Sequence, residues 1–351
     1  MATPKLLECT LRDGSYVNNF QFTAADTERI ASELDRLGFP LIETGHGIGL
    51  GASEAHKWLA AETDEAYMKA TAKAVKRGKW GMFCIPGIAK LGHLDAAIAN
   101  GMGFVRVGTN IEDYKSVQPF IEKAKKAGML VCANFMKSYC SPPVEFAKYV
   151  IEAEKFGADI VYLVDSAGGM LPNEIRAYFA AVRETSSTVR LGFHGHDNLG
   201  LGVANSLLAI ESGAEVVDTS LQGYGRSAGN TPTERLLGAL MRAGYDLGID
   251  PIAVMDAGEA LIVPLILSRG TSSIDTVSGL AQFHSSYMPI IEEIAVEKRV
   301  DPRRLIVAVC ARDRANAPRS VVREEADHLV QLGVKGNWRS IYAHYYGGEQ
   351  E

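Results

Sequence analysis

Short runs of apolar residues alternate along the chain with longer segments in which apolar and polar residues recur at helical spacing. This alternation is typical of parallel βα units, in which each strand is followed by a helix that returns the chain. Eight runs predict strands, at residues 6–11, 41–44, 80–85, 104–109, 130–135, 160–164, 190–194 and 215–221. Six glycines mark predicted helix ends: Gly38, Gly78, Gly101, Gly128, Gly157 and Gly213. The pattern predicts an α/β fold, a TIM (β/α)8 barrel, with an open doubly wound sheet as the alternative.

The pattern changes after about residue 262, where helical segments such as 288–298 and 321–332 follow without strands between them. One such barrel occupies about 250 residues. The 351 residues of the chain therefore leave room for a smaller addition. We expect a catalytic barrel domain at residues 1–262 and a small helical C-terminal domain at residues 263–351.

The charge balance and the cysteines exclude several classes of protein. The formal net charge is -6 and no basic stripe is present, whereas nucleic-acid binding needs a concentrated basic surface. We find no secretion signal at the amino terminus, and no apolar run approaches the ~20 residues of a membrane helix. Five cysteines are scattered without a CxxC pair, which favours reduced thiols over disulfides or a zinc knuckle. We expect a cytoplasmic protein that binds neither nucleic acid nor a membrane.

Charged residues cluster at two predicted strand ends, in TLRDG at 10–14 and HGHDN at 194–198. The carboxyl-terminal strand ends of a barrel converge on one mouth, so these clusters are the first candidates for function. Residues i and i+2 of a strand face the same side, so His194 and His196 can present two imidazoles to one point. With the carboxylate of Asp13 they would hold Mn²⁺, Mg²⁺ or Zn²⁺ and leave positions open for substrate. The alternative is a pair of histidines hydrogen-bonded within a polar mouth.

Several strings resemble, in the same order, motifs of the DRE-TIM metallolyases, a superfamily of metal-dependent enzymes that handle pyruvate. They are TLRDG (10–14), IETGHGIGL (42–50), IPGIA (85–89), VDSAGGM (164–170), HGHDNLGLGVANS (194–206) and SAGNTPTE (227–234). Within the superfamily the chain is most similar to the 4-hydroxy-2-oxovalerate aldolases, over nearly its whole length. The resemblance implies a barrel fold and a carbon–carbon lyase of the class II, metal-dependent type.

The resemblance also implies roles for individual residues. Asp13, His194 and His196 would bind the metal, for which Mn²⁺ is the expected ion, and Asn230 would be a further ligand or would support the others. Arg12 would face the keto oxygen of a 2-oxo acid, and His194 would also meet the substrate. Metal and guanidinium together would stabilise the pyruvate-type enolate that cleavage leaves behind.

Other strand-end residues are expected to meet the substrate. Ser166 would hold its carboxylate, the alternative being a hydroxyl that satisfies a local turn. His46, in TGHGIG, would bind substrate or support a ligand, the alternative being a packed polar residue. Ile85 and Phe135 would shape the pocket for the aldehyde. The remaining histidines lack such context and are expected on the solvated surface: His56, His93, His328 and His344.

One position departs from the aldolase pattern. Two residues after the Asp-Gly pair, where the aldolases have a histidine that acts as base, this chain has Tyr16. In the C-terminal region the aldolases have a tyrosine before a Ser-Ser-aromatic string, and here the chain reads His284-Ser285-Ser286-Tyr287. We expect Tyr16 and His284 to share the pocket, with His284 as the base because imidazole titrates near neutrality. The alternative is that His284 is a helix-cap or core histidine.

The expected function is a metal-dependent aldolase that cleaves or forms 4-hydroxy-2-oxo acids, with a 2-oxo acid and an aldehyde as its small-molecule partners. The first alternative is a Claisen condensing enzyme or lyase that uses a CoA thioester, of the isopropylmalate synthase or HMG-CoA lyase type. The second is a degenerate barrel that only binds a partner, against which the intact Arg12 and Asp13 argue. We also expect a homo-oligomer. The resemblance implies an acylating aldehyde dehydrogenase as a partner that receives the aldehyde, with a stand-alone biosynthetic enzyme as the alternative.

Overall fold

A computed structural model describes residues 3–53, 59–265 and 273–334. Its strands are β1 Lys5–Glu8, β2 Leu41–Thr44, β3 Lys79–Cys84, β4 Phe104–Asn110, β5 Leu130–Met136, β6 Ile160–Asp165, β7 Leu191–Gly195 and β8 Ala214–Thr219. All neighbours pair in parallel and in chain order, and β8 pairs with β1 to close the barrel. The predicted (β/α)8 barrel is confirmed, and the open sheet is excluded. Two of the histidines expected on the surface, His56 and His344, lie outside the described residues.

In the described residues, eight helices follow or connect the strands, and five further helices continue past the barrel. They are α1 Ala24–Leu37, α2 Asp64–Ala74, α3 Leu91–Ala99, α4 Gln118–Lys126, α5 Pro143–Phe156, α6 Pro172–Thr185, α7 Gly202–Glu211, α8 Thr233–Arg242, α9 Pro251–Ala257, α10 Ser273–Ala281, α11 Met288–Lys298, α12 Pro302–Arg312 and α13 Arg319–Gln331. The helical segments predicted at 288–298 and 321–332 correspond to α11 and α13. Within the described ranges no helix is both long and apolar enough to cross a membrane.

The first strand is shorter than predicted, and this difference shapes the mouth. β1 ends at Glu8 rather than at residue 11. The carbonyl of Cys9 accepts from the backbone N–H groups of Arg12 and Asp13, at 3.0 and 2.9 Å, and this closes a tight turn. The turn leads into a 3₁₀ segment, Asp13–Tyr16, so Asp13 stands at the mouth of the barrel and not along its wall.

Most of the predicted glycine stops match helix ends, but Gly78 does not. Gly38 and Gly157 cap α1 and α5 with φ of 95° and 107°, a region that glycine enters without a Cβ clash. By contrast α2 ends at Ala74, four residues before Gly78. The carboxylate of Asp35 accepts from the backbone N–H groups of residues 76–78, which holds this stretch as a loop instead of a further helical turn.

The hydrophobic core is layered. The largest cluster packs the outer face of the sheet against the surrounding helices, and a smaller cluster, including Leu7, Phe104 and Tyr162, uses alternate strand residues. The C-terminal helices have a cluster of their own, built around Ile291 and Leu305. That separate core supports an appended helical unit, while its boundary at residue 262 remains a prediction.

A buried lysine links the barrel to the C-terminal helices. Lys137 follows β5, and its ammonium group donates to the carbonyl of Ala315 at 2.7 Å. The same Nζ lies 3.2 Å from the hydroxyl of Tyr287 and over the ring of that tyrosine. Its backbone N–H donates to Ser166 Oγ at 2.9 Å. One residue therefore connects the barrel mouth to the segment that contains His284.

Candidate metal centre

Three predicted ligands converge at the mouth. Asp13 Oδ2 lies 3.8 Å from His194 Nε2 and 3.9 Å from His196 Nε2, and the two Nε2 atoms are 3.4 Å apart. All three residues are buried, and within the described part of the chain they form a cluster with metal-ligand spacing. His194 belongs to β7 and His196 follows it, so the i, i+2 relation places both rings on one side as expected.

The protonation of each imidazole follows from its other nitrogen. His194 Nδ1 lies 2.8 Å from the carboxylate of Asp218, so Nδ1 carries the proton and donates it. His196 Nδ1 lies 3.1 Å from the carbonyl of Gly229, which can only accept. Both Nε2 atoms therefore point lone pairs into the cluster, and the 3.4 Å contact between them contains no hydrogen.

This arrangement fits a bound cation. Asp13 Oδ2 is buried and has no hydrogen-bond donor among the described residues, so three electron pairs face one another unpaired. A point equidistant from the three atoms lies about 2.1 Å from each, close to the roughly 2.0–2.2 Å of zinc and magnesium bonds to nitrogen and oxygen. Two imidazoles and one carboxylate also leave other coordination positions for a substrate.

The electrostatics keep these groups in the form that binds a metal. Burial would raise the pKa of Asp13, but Arg12 and then the two histidines outweigh it and hold that pKa below its ordinary value. Burial lowers the pKa of His196 to about 3, with the nearby positive charge of Arg226 adding to the effect. Near neutral pH the cluster therefore offers an ionised carboxylate and a neutral His196 imidazole, as metal ligation requires.

Asn230, the further ligand implied by the resemblance, lies against the cluster through its backbone. It forms an isolated antiparallel bridge with His196, and its side-chain Nδ2 lies 3.6 Å from Cys9 Sγ. Its Oδ1 is buried and without a donor among the described residues. The amide oxygen of Asn230 is thus a buried spare acceptor on a residue whose backbone bridges to His196.

Arg12 is fixed by carboxylates on two sides. Its Nη1 donates to Asp13 Oδ1 at 2.8 Å and its Nε donates to Glu43 Oε2 at 2.7 Å. The guanidinium also lies over the ring of Phe83, with 4.8 Å from Cζ to the ring centroid. Because Asp13 uses Oδ1 for Arg12, its Oδ2 is left for the cluster. Arg12 thereby orients a candidate ligand and stands beside it.

Behind the cluster lies a buried charged network that crosses the barrel interior. Arg106, from β4, is fully buried and donates to Glu43, from β2, at 2.8 and 2.6 Å. It also pairs with Asp218 of β8, whose Oδ2 accepts from His194. The network joins strands that are not neighbours in the sheet, so it must span the interior, and it connects both Arg12 and His194 to one buried guanidinium.

A cavity opens beside the cluster and brings together most of the predicted site residues. It is lined by Arg12, Asp13, Tyr16, Gly47, Phe83, Ile85, Asn134, Met136, Val164, Ser166, His194, His196 and Arg226. Ile85 is at the wall, as expected for a residue that shapes the pocket. Phe135 instead packs in the outer core, because alternate residues of β5 face opposite sides and its neighbours Asn134 and Met136 face the cavity.

Tyr16 is at the cavity wall and His46 is one layer away from it. His46 is buried, with its ring stacked on Phe20 at 3.8 Å between centroids. Its Nδ1 accepts from the backbone N–H of Ile48 at 3.1 Å. Phe20 in turn meets the edge of Tyr16 at 5.1 Å. His46 thus packs behind the tyrosine, and among the described residues that line the cavity its place is taken by Gly47.

His284 reaches the same region from the C-terminal helices. It is buried, and Arg226 Nη2 lies 2.6 Å from its Nε2. A guanidinium can only donate, so His284 Nε2 presents its lone pair to Arg226. Nδ1 lies 2.6 Å from Ser286 Oγ. The backbone N–H of Ser286 also donates towards Nδ1, at 3.3 Å. Burial and the charge of Arg226 lower the pKa of His284, so the ring is neutral near pH 7.

Arg226 also connects Tyr16 and His284, the two positions at which the chain departs from the aldolase pattern. Its guanidinium lies over the ring of Tyr16, 5.4 Å from Cζ to the centroid, while it donates to His284. Tyr16 and His284 are therefore joined through one arginine. Whether they act as substrate-contacting residues stays a prediction.

Sequence reasoning missed several residues of the site: Glu43, Arg106, Asn134, Asp218 and Arg226. For Glu43, Arg106 and Asp218 a signal was present, since each is a charged residue within an otherwise apolar run that predicts a buried strand. Arg226 follows β8 in a loop, and nothing in its local sequence distinguishes it from a solvated arginine.

A closed (β/α)8 barrel with an Asp-His-His cluster at its mouth defines the class of protein, a barrel with a candidate divalent-metal centre. The family model described as HMGL-like matches residues 3–261, and the chain belongs to that family.

Two curated relatives support the assignment. The chain is 36% identical over 308 residues to a 4-hydroxy-2-oxovalerate aldolase of Thermomicrobium roseum, covering 88% of this chain and 86% of the relative. It is 35% identical over 336 residues to a protein of the same name from Chloroflexus aurantiacus, covering 95% and 96%. The HMG-CoA lyase of Brucella melitensis superposes with a TM-score of 0.65 at 20% identity, covering 76% of this chain and all of that one, a likeness of fold.

Proposed function

We propose that this chain is a divalent-metal-dependent aldolase that cleaves or forms 4-hydroxy-2-oxo acids, giving a pyruvate-type 2-oxo acid and an aldehyde. The observation that carries the proposal is the convergence of three unpaired electron pairs, from Asp13, His194 and His196, beside a fixed guanidinium in one cavity. The relatives at 35–36% identity, which bear an aldolase name, support the same reaction. The CoA-dependent alternative has the support of fold likeness only.

The proposed metal ligands are Asp13, His194 and His196, with Asn230 Oδ1 as a further ligand or as an acceptor for bound water. We propose Mn²⁺ as the ion, since two nitrogens with one carboxylate suit a borderline cation and no thiolate of the cluster selects zinc. When bound, a divalent ion polarises the 2-keto oxygen as a Lewis acid and neutralises charge that develops there. Mg²⁺ and Zn²⁺ are the competing choices.

Arg12 would bind the 2-keto oxygen, because its Nε and Nη1 are held by Glu43 and Asp13 and the described residues leave its Nη2 for a ligand. Its charge stabilises the enolate oxygen that forms as the carbon–carbon bond breaks. The hydroxyl of Ser166 already accepts from the Lys137 backbone, so its own proton is available to the substrate carboxylate. His194 would meet the substrate through the shared ion.

His284 would act as the base. Its neutral ring carries the lone pair on Nε2, and that atom would take the proton from the C4 hydroxyl of the substrate. As the O–H bond breaks, C4 becomes a carbonyl, the C3–C4 bond breaks, and its electron pair moves into the enolate. Protonation at C3 then gives the 2-oxo acid. Tyr16, held under Arg226, would contribute its hydroxyl to the same wall of the cavity, and His46 would support Tyr16 from behind.

The location and assembly of the protein are further parts of the proposal. All five cysteines are free, in keeping with a cytoplasmic protein. The C-terminal helices expose some apolar side chains, including Val296 and Leu332. We propose a homo-oligomer whose helical part also offers a surface to an acylating aldehyde dehydrogenase. Size-exclusion chromatography with light scattering, with and without that dehydrogenase, tests both.

A retro-aldol screen tests the proposed activity. Metal-stripped protein would be supplied with Mn²⁺ or Mg²⁺ and with 4-hydroxy-2-oxo acids of varied chain length, and the release of 2-oxo acid and aldehyde would be measured. We expect turnover that chelation abolishes, and loss of at least about a hundredfold in His196→Ala. His328→Ala, at an exposed histidine of α13, is the matched control. Metal-independent turnover, or free-thiol release from acyl-CoA in place of aldehyde release, would contradict the proposal.

A further inference from the structure

The cavity contains a second guanidinium to which the proposed reaction assigns no task. Arg226 lies in the loop between β8 and α8, is half-buried, and lines the same cavity as Arg12. The two arginines have different neighbours. Arg12 is held by carboxylates next to the metal cluster, whereas Arg226 donates to His284 and lies over Tyr16.

These neighbours assign the two arginines to opposite ends of the substrate. In the proposed function, which this inference deepens and on which it rests, the ion and Arg12 hold C1 and C2, while His284 Nε2 meets the hydroxyl on C4. Arg226 Nη2 is 2.6 Å from that same Nε2. Arg226 is therefore next to whatever substituent C4 carries, the part of the substrate that leaves as the aldehyde.

A positive charge at the C4 end of the substrate favours a negatively charged substituent on C4 over an alkyl group. A guanidinium that faces a methyl or ethyl group loses hydration and gains no hydrogen bond, which opposes binding of an alkyl aldehyde unit. A carboxylate there would accept two parallel hydrogen bonds from the guanidinium, and such charge-assisted bonds are roughly twice as strong as neutral ones. The contact with His284 is a bond to a neutral acceptor, so a carboxylate would displace it.

We propose that Arg226 recognises a carboxylate on C4 of the substrate, so that the preferred substrates are 4-hydroxy-2-oxo diacids and the aldehyde released is itself an oxo acid. Binding of that carboxylate draws the Arg226 Nη2–H away from His284 Nε2. The lone pair of His284 is then available for the C4 hydroxyl proton. Arg226 thereby selects a negatively charged substrate and, on binding it, leaves His284 Nε2 able to act as the base.

Two substrates of nearly equal size test this directly. 4-Hydroxy-2-oxoglutarate and 4-hydroxy-2-oxovalerate differ by a carboxylate in place of a methyl group on C4. With the Mn²⁺-loaded protein we expect kcat/KM to be at least about tenfold higher for the diacid. Arg226→Met should lower the ratio of kcat/KM for the diacid to kcat/KM for the monoacid by on the order of 10- to 100-fold. Arg226→Lys should restore part of the diacid preference.

Arg235→Met, at an exposed arginine of α8, is the matched control and should alter neither value. An equal or greater kcat/KM for the monoacid with the unaltered protein would overturn the inference and leave the proposed aldolase function intact. An equal loss for both substrates in Arg226→Met would also overturn it, since a merely structural arginine would affect both alike.

A binding measurement separates this inference from the proposed function. 2-Oxoglutarate and 2-oxovalerate lack the C4 hydroxyl and cannot be cleaved, but they present the same two end groups. By calorimetry on the Mn²⁺-loaded protein we expect 2-oxoglutarate to bind at least about tenfold more tightly, and Arg226→Met to remove the difference. If no hydroxy acid is cleaved but this preference is found, recognition by Arg226 stands and the aldolase reaction fails. Equal binding of the two would overturn the recognition.

Discussion

Replacement of Asp218 by asparagine tests whether the Asp218 carboxylate sets the tautomer and the donor strength of His194, a proposed metal ligand. Asp218 Oδ2 accepts from His194 Nδ1 at 2.8 Å and from Arg106, while its Oδ1 has no donor in the described part of the chain. If the asparagine oxygen takes the place of Oδ2, both bonds remain but the negative charge beside Arg106 is lost. If the amide group turns, its NH₂ faces His194 Nδ1, and the imidazole must move its proton to Nε2.

Either outcome weakens metal binding. If the asparagine oxygen faces His194, the loss of negative charge makes the imidazole a poorer donor to the ion. If the amide NH₂ faces His194, an N–H occupies the position where the lone pair of Nε2 must be. Loss of such a partner behind a histidine ligand costs about 10- to 100-fold in metal affinity, which corresponds to about 1.4–2.7 kcal/mol. We expect the dissociation constant for Mn²⁺ of Asp218→Asn to rise by that factor.

Isothermal titration calorimetry on metal-stripped protein measures the effect. Asp256→Asn, at an exposed aspartate of α9, is the matched control and should bind Mn²⁺ as the unaltered protein does. Circular dichroism establishes that each variant is folded before titration. A folded Asp218→Asn protein with a dissociation constant within twofold of the original would refute the account of His194 given by the structure.

Three further changes have defined outcomes. His284→Ala should lower kcat by about 10²- to 10⁴-fold with unchanged Mn²⁺ affinity, and near-normal turnover would remove its role as base. Burial raises the pKa of Glu8 to about 7. The contribution of Glu8 to the free energy of unfolding is complete below its ordinary pKa of 4.5 and is lost as pH rises through 7. Measured by urea unfolding over that range, the stability of Glu8→Gln relative to the original protein should therefore rise by on the order of 2 kcal/mol. A stability difference that does not change with pH would contradict this. A methyl group in Gly108→Ala would overlap the ring of Phe83 and should cost about 1–3 kcal/mol of unfolding free energy, whereas an unchanged denaturation midpoint would show that the ring moves freely.

Much of the fold was predictable because a closed parallel barrel repeats one simple pattern. All eight predicted strands occur in the predicted order, since runs of buried apolar residues between glycine-capped helices have few other solutions. The end of β1 was not predictable from hydrophobicity. Leu11 continues the apolar run, but the carbonyl of Cys9 accepts from several following N–H groups and turns the chain early.

The candidate ligands were predictable for a related reason. His194 and His196 are separated by one residue on a strand, and strand geometry alone places them together. Arg226 and Asp218 could not be assigned this way, because their contacts with His284 and His194 span 58 and 24 residues and depend on how the chain closes. The prediction that Phe135 lines the pocket was wrong, because its neighbours Asn134 and Met136 face the cavity and Phe135 faces the opposite side of β5.

The contacts of Lys137 with Tyr287 and Ala315 hold together two stretches of the chain to which the proposed function gives different tasks. The proposed metal ligands lie within the first 230 residues, and the proposed base lies in the C-terminal segment that Lys137 contacts. In the proposed reaction, exchange of that segment between homologues would therefore change the group that accepts the proton and would leave the proposed metal ligands unchanged. Substitutions confined to the C-terminal segment would in this way change the aldehyde that the enzyme accepts without changing the proposed metal ligands.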